Sequence, residues 1–171
     1  SSTALLWSVH NDQPSVVELL LNWGADPTIR NRYGVGPASL AAENGNADIL
    51  RQLLQAGIDP DHTLPGGESL LMTAARTGEP ETVRILLDQG ADPNLQETAS
   101  GQTALMWAAA YNNAAAIQLL AEHGADVNAK TDKPSRSASR TFAYAPPTGF
   151  SAIMFAVRAG HMEASKALLN A

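Results

Sequence analysis

The side chains best suited to proton transfer or metal binding are four histidines, His10, His62, His123 and His161. No two of them stand three or four residues apart, so no pair can present ligands from one helix face. With no cysteine in the chain, thiolate metal sites and disulfides are both excluded, and the redox compartment stays open. Gly149-Phe150-Ser151 is half of a nucleophile elbow, but Ile153 stands where the closing glycine would be. Ser151 therefore reads as a helix N-cap. Gly34-Val35-Gly36 lacks the third glycine of a dinucleotide fingerprint. Asp26, Asp59, Asp92 and Asp126 are spread along the chain rather than gathered, and as short carboxylates in tight turns they can accept backbone N–H bonds. His123 and His161 each adjoin a glycine turn and read as structural or exposed. Catalysis needs a convergent constellation. None is found, so no enzyme activity, cofactor or metal is expected.

The elements carrying these residues repeat. The triplets Gly24-Ala25-Asp26, Gly57-Ile58-Asp59, Gly90-Ala91-Asp92 and Gly124-Ala125-Asp126 are spaced 33, 33 and 34 residues apart. A second set, Gly34, Gly67, Gly101 and Gly149, precedes Gly36, Ser69, Thr103 and Ser151 by two residues, and Thr3 opens that series. Two marker sets in phase define a repeat. Each unit reads as a cap residue, a short Ala-rich helix, and a break at Asp12, Gly45, Gly78, Asn112 or Gly160. A second helix with a dense apolar face follows. Leu20, Leu53, Leu86, Leu120 and Leu168 form one column; Ser8, Ala41, Ala74, Ala108 and Ala156 form a small-residue column that lets helices approach closely. No unit can bury its apolar face alone, so the units must stack. The chain can supply a core, with 44% hydrophobic and 16% charged residues among 171. Its charge of −6 argues against nucleic acid and anionic membranes. No apolar run reaches the ~18 residues of a membrane span.

Period and pattern resemble ankyrin repeats. Thr3-Ala4-Leu5-Leu6, Gly36-Pro37-Ala38-Ser39 and Thr103-Ala104-Leu105-Met106 sit where that family has its Thr-Pro-Leu-His tetrapeptide. The Gly-Ala-Asp triplets and Asp126-Val127-Asn128 match its second signature. The Thr-Ala-Leu-Met style is similar to bacterial members. The fold expected is an all-α ankyrin-repeat solenoid of stacked helix-turn-helix units with short β-hairpin-like loops between them. It forms a single array over 1–171, with units near 1–33, 34–66, 67–100, 101–129 and 149–171. The sequence departs from the family at its usual His, here Leu6, Ser39, Met72, Met106 and Met154. The hydrogen bonds of that His must be absent or replaced, with Met filling the space.

The resemblance implies a cupped array whose first helices and loops line a hollow where partners bind. Four residues after the cap stand Trp7, Leu40, Thr73, Trp107 and Phe155; eight after it stand Asn11, Asn44, Thr77, Tyr111 and Ala159. Positions four apart share a helix face. His10, Glu43, Arg76, Ala110 and Arg158 lie between, and loop positions add Tyr33, Val35, Glu68, Gln102 and Phe150. Exposed aromatics are typical binding anchors. Two readings of the tryptophans stay open: contacts for a partner, or packing between units. Trp23, beside its turn, reads as a local packing residue.

The expected function is protein–protein interaction, with another protein bound through the concave face and hairpin loops and the isolated array monomeric. The alternative is a structural spacer or assembly segment of a larger protein or complex. Two features bear on that alternative. The first unit lacks the polar face of a terminal cap and the last stops before its Gly-Ala-Asp turn, so either an internal fragment of a longer array or ends buried against something else are expected. The compartment is then open: cytoplasmic, or periplasmic or secreted if a bacterial signal lies outside this stretch. Residues 130–148 form an inserted basic Ser/Pro-rich loop of charge +3 that lengthens one finger. It is either a solvated loop or, through Lys133, Arg136, Arg140 and Tyr144, a finger toward an acidic partner.

Overall fold

A computed structural model describes residues 2–132 and 148–171. Among the described residues ten helices follow one another in pairs: α1 (Ser2–His10) with α2 (Pro14–Asn22), α3 (Pro37–Asn44) with α4 (Ala47–Gln55), and α5 (Leu70–Thr77) with α6 (Pro80–Asp88). The series continues with α7 (Ala104–Ala110) and α8 (Ala114–Glu122), then α9 (Ala152–Ala159) and α10 (Met162–Leu169). Odd-numbered helices pack on one another in chain order, as do even-numbered ones, which gives a two-layer helical solenoid. The helices have 7 to 9 residues, too short to persist alone. Local signals start them. Proline stands in the first turn of α2, α3 and α6. Ser69 and Thr103 accept the N–H of Met72 and Met106 at α5 and α7. Thr3, by contrast, lies inside α1 and not at its cap.

The break between paired helices takes a left-handed backbone in all five units, as their residue types predict. Three of the five are glycines; Asp12 (φ 50°) and Asn112 (φ 61°) accept the strain of about 1 kcal/mol that a side chain adds there. Both use that side chain on the next pair. Asp12 Oδ1 accepts from the amides of Asn44 and Asn46, and Asn112 Oδ1 from the N–H of Ala164 in the first turn of α10. Each turn aspartate also behaves as read: Asp26, Asp59, Asp92 and Asp126 accept the N–H two residues on, from Thr28, Asp61, Asn94 and Asn128. The Thr28 hydroxyl, then its N–H, hold the Asp26 carboxyl below its ordinary range.

The core runs the length of the stack. The small-residue column is buried throughout, and Leu53, Leu86 and Leu120 are fully buried, with Leu20 partly so. Met72 and Met106 are fully buried, and the Met72 sulfur accepts the N–H of Ser69 at 3.4 Å, closing a capping box. The methionine thus replaces part of the bonding as well as the volume. Ser39, in the same column, is 3% exposed, and its hydroxyl has no hydrogen-bond partner among the described residues.

Candidate functional site

Four loops join the pairs, and each is pinned at its base by the same two backbone bonds. Asn31 with Val35 and Gly34, Leu64 with Glu68 and Gly67, Glu97 with Gln102 and Gly101, and Thr131 with Phe150 and Gly149 make them. A side chain secures three of these bases. Asn31 Oδ1 accepts the N–H of Tyr33 and Val35, and Thr131 Oγ1 that of Phe150. The buried Glu97 carboxylate accepts three N–H groups, from Ala99, Ser100 and Gln102, and the Ser100 hydroxyl. The long fourth loop therefore has the same neck as the short ones. Lys133, Arg136, Arg140 and Tyr144 lie outside the described residues.

The loops stack. A Cβ on Gly67 would meet Thr98 at 2.9 Å, and one on Gly101 would meet Asp132, so the fingers touch with nothing between them. Arg30 donates from Nη2 to Nδ1 of His62 at 3.2 Å, tying the first finger to the second. Burial first and the Arg30 charge second push the His62 pKa below its usual value, so the ring stays neutral and accepts.

Along the strip beside the fingers, burial differs sharply. His10, Asn11, Tyr33, Glu43, Asn44 and Arg158 are exposed, and Trp7 is 59% exposed. Leu40, Arg76, Thr77, Tyr111 and Phe150 are half-buried. Trp107 and Phe155 point inward, 8% and 5% exposed. Trp107 lies parallel to Tyr111 at 6.3 Å, and Phe155 meets Phe150 edge-on at 5.6 Å. Trp7, edge-on to His10 at 5.8 Å, instead forms the wall of a cleft of about 270 Å³ lined by Leu6, His10, Asn31 and Leu40. In the middle of the strip Arg76 lies 4.0 Å from Glu68, which also accepts the Thr73 hydroxyl.

Several residues of the strip also join units. Asn44 donates to Val9 O and Asp12, and Thr77 to Ala42 O, both in the preceding pair. Sequence reasoning missed the stronger form of this joint, at the N-caps of the second helices. Asn113 donates to the carbonyls of Ala75 and Arg76 at 2.7 and 3.1 Å, and His161 Nε2 to that of Ala110 at 3.0 Å. A polar residue directly after each break was the available signal. His123 donates from Nδ1 to Leu119 O at the end of α8, with Asp88 3.7 Å from its other nitrogen. Ser151 is the buried N-cap residue of α9.

Among the described residues no cluster of His, Asp and Glu could hold a metal ion, and no helix is long and apolar enough to cross a membrane. What the surface offers is a rigid strip of aromatic, charged and amide side chains. Compared with known families, residues 38–131 match a model described as ankyrin repeats in three copies. Residues 105–169 match one of ankyrin repeats in many copies, and residues 2–32 a single ankyrin repeat. No curated protein matches the chain.

Proposed function

The chain belongs to the ankyrin repeat family, and from that premise we propose that it binds another protein in its hollow, through the first helices and the fingers. Ankyrin repeats are in general protein–protein interaction modules and typically non-enzymatic scaffolds. The observation that carries the reading is the exposure of Trp7, His10, Asn11, Tyr33 and Glu43 side by side with the Trp7 cleft. Large aromatic side chains lose little rotamer entropy when covered and contribute most of the energy of many interfaces. Trp107 and Phe155 act here as supports behind Tyr111 and Phe150 rather than as contacts.

A second reading, an assembly segment of a larger protein or complex, has its own support. The first and last pairs expose Val16, Leu19 and Trp23, and Met154, Val157, Met162 and Leu169. The two readings separate in a capture experiment with the whole chain and a variant carrying Trp7→Ala, Tyr33→Ala and Glu43→Lys, both checked for helicity. A protein held by the wild type and released by the folded variant supports the hollow. One held equally by both moves the interface to the outer pairs or the convex side.

A further inference from the structure

Among the described residues, positive charge is matched only in part. Arg51, Arg76 and Arg84 each have a carboxylate within 4.0 Å, as does Lys166. Arg30 and Arg32 do not, among the described residues. Arg30 gives one N–H to neutral His62, and the Arg32 guanidinium lies 4.7 Å over the exposed Tyr33 ring. Both flank Asn31, which lines the Trp7 cleft. The Asn31 carbonyl oxygen is engaged within its own loop, so its amide nitrogen is the group left to donate. The cleft-lining amide of Asn31 is thus flanked in the chain, on one finger, by two arginines without a carboxylate partner among the described residues. The exposed Glu43 stands on α3, in the column of His10.

We infer that this end of the hollow takes an extended acidic peptide segment, with one large apolar side chain in the Leu6–Trp7–Leu40 cleft and its carboxylates on the finger side against Arg30 and Arg32. The inference rests on the hollow being the binding surface and adds the chemistry of its occupant. A cleft of about 270 Å³ has room for one leucine, methionine or phenylalanine side chain and not for a folded loop. Guanidinium groups pair with carboxylates in a fork geometry that lysine cannot supply. Glu43 repels carboxylates from the inner-helix side and so sets the direction in which the segment lies.

The probe is a fluorescein-labelled nonapeptide with a central phenylalanine and two aspartates on each side, titrated against the whole chain and followed by anisotropy and by backbone amide shifts. Control peptides carry lysines for the aspartates or alanine for the phenylalanine. Binding of the first peptide, weakened at least about tenfold by either control change, by Trp7→Ala and by Arg32→Glu, and weakened by salt, is the expected result. Arg84→Gln, on α6 and outside the strip, leaves it unchanged. Equal binding of the lysine peptide, or shifts confined to residues beyond the first two pairs, overturns the acidic-segment assignment and leaves the hollow standing as the surface. No binding up to millimolar peptide also overturns it, while a partner captured through the hollow would keep the broader reading. Arg32→Gln serves as the milder variant should Arg32→Glu disturb the finger.

Discussion

Trp7 and Trp107 stand in the same column of the repeat, on α1 and α7, and have opposite surroundings. Trp7 is 59% exposed and walls an open cleft; Trp107 is 8% exposed and roofed by Tyr111, whose ring lies parallel to it. The position four residues on differs. Asn11 folds back to donate to Trp7 O at 2.8 Å, and the indole meets only the edge-on ring of His10 on that turn. Tyr111 covers its partner instead. α7 is also flanked by α5 and α9. A repeat column fixes which way a side chain leaves the backbone, and its neighbours decide whether it becomes a contact or a support.

The largest effect should come from removing each indole. Trp107→Ala is expected to cost about 3–5 kcal/mol in urea unfolding, the scale of a buried aromatic replaced by a cavity. Trp7→Ala should change stability by less than about 1 kcal/mol, as surface substitutions do. Equal costs would break the contrast. Next, exchanging the roof should exchange the behaviour. Tyr111→Asn should cost about 1 kcal/mol or more through the lost aromatic pair. Asn11→Tyr, in a Trp23→Phe background, should shield Trp7 from acrylamide quenching. If quenching of Trp7 is unchanged, the roof is not what separates the two sites.

The joints between units should show a smaller contrast of the same kind. Asn113→Ala removes two bonds to helix-end carbonyls and should cost about 1–2 kcal/mol, whereas the 3.3 Å bonds of exposed Asn44 should be worth about 0.5 kcal/mol or less. Chemical denaturation of the two variants tests this. The smallest effect concerns the first finger. His62 should titrate below the ordinary value of about 6.5, and Arg30→Gln should move it up, followed by the ring proton signals in NMR. Because its folded pKa is depressed, the unfolded chain takes up the proton first. The His62 contribution to stability is whole above pH ~6.5 and is lost as pH falls from there toward the folded pKa. A His62 pKa that ignores Arg30 would mean that the fingers are not coupled at this point.

The fold was readable because its signals are local. A residue that must turn left-handed, as Gly45 or Asn112 does, and an aspartate that bonds two residues ahead, as Asp92 does, carry their reasons within one turn of chain. The candidate surface was readable only in part. Its direction followed from helix periodicity, which put Trp7 and Trp107 in one strip. Burial did not follow, because it depends on rings such as Tyr111 and on helices of adjoining units. The joints were least readable. Asn44 and Thr77 sit where a contact would, and only the three-dimensional stack places Val9 O and Ala42 O within their reach.

The neck shared by all four fingers separates the length of a loop from the geometry of the stack. Glu97 and Gln102 close across five residues, Thr131 and Phe150 across 19, and the bonds at the base are the same. Loop-closure entropy rises only logarithmically, so that difference costs about 1 kcal/mol. For a lineage, such a neck is a site of cheap experiment. Segments can be gained, lost or rewritten above it while the helices beneath keep their register. Recognition can then evolve at the fingertips without the scaffold having to be selected again.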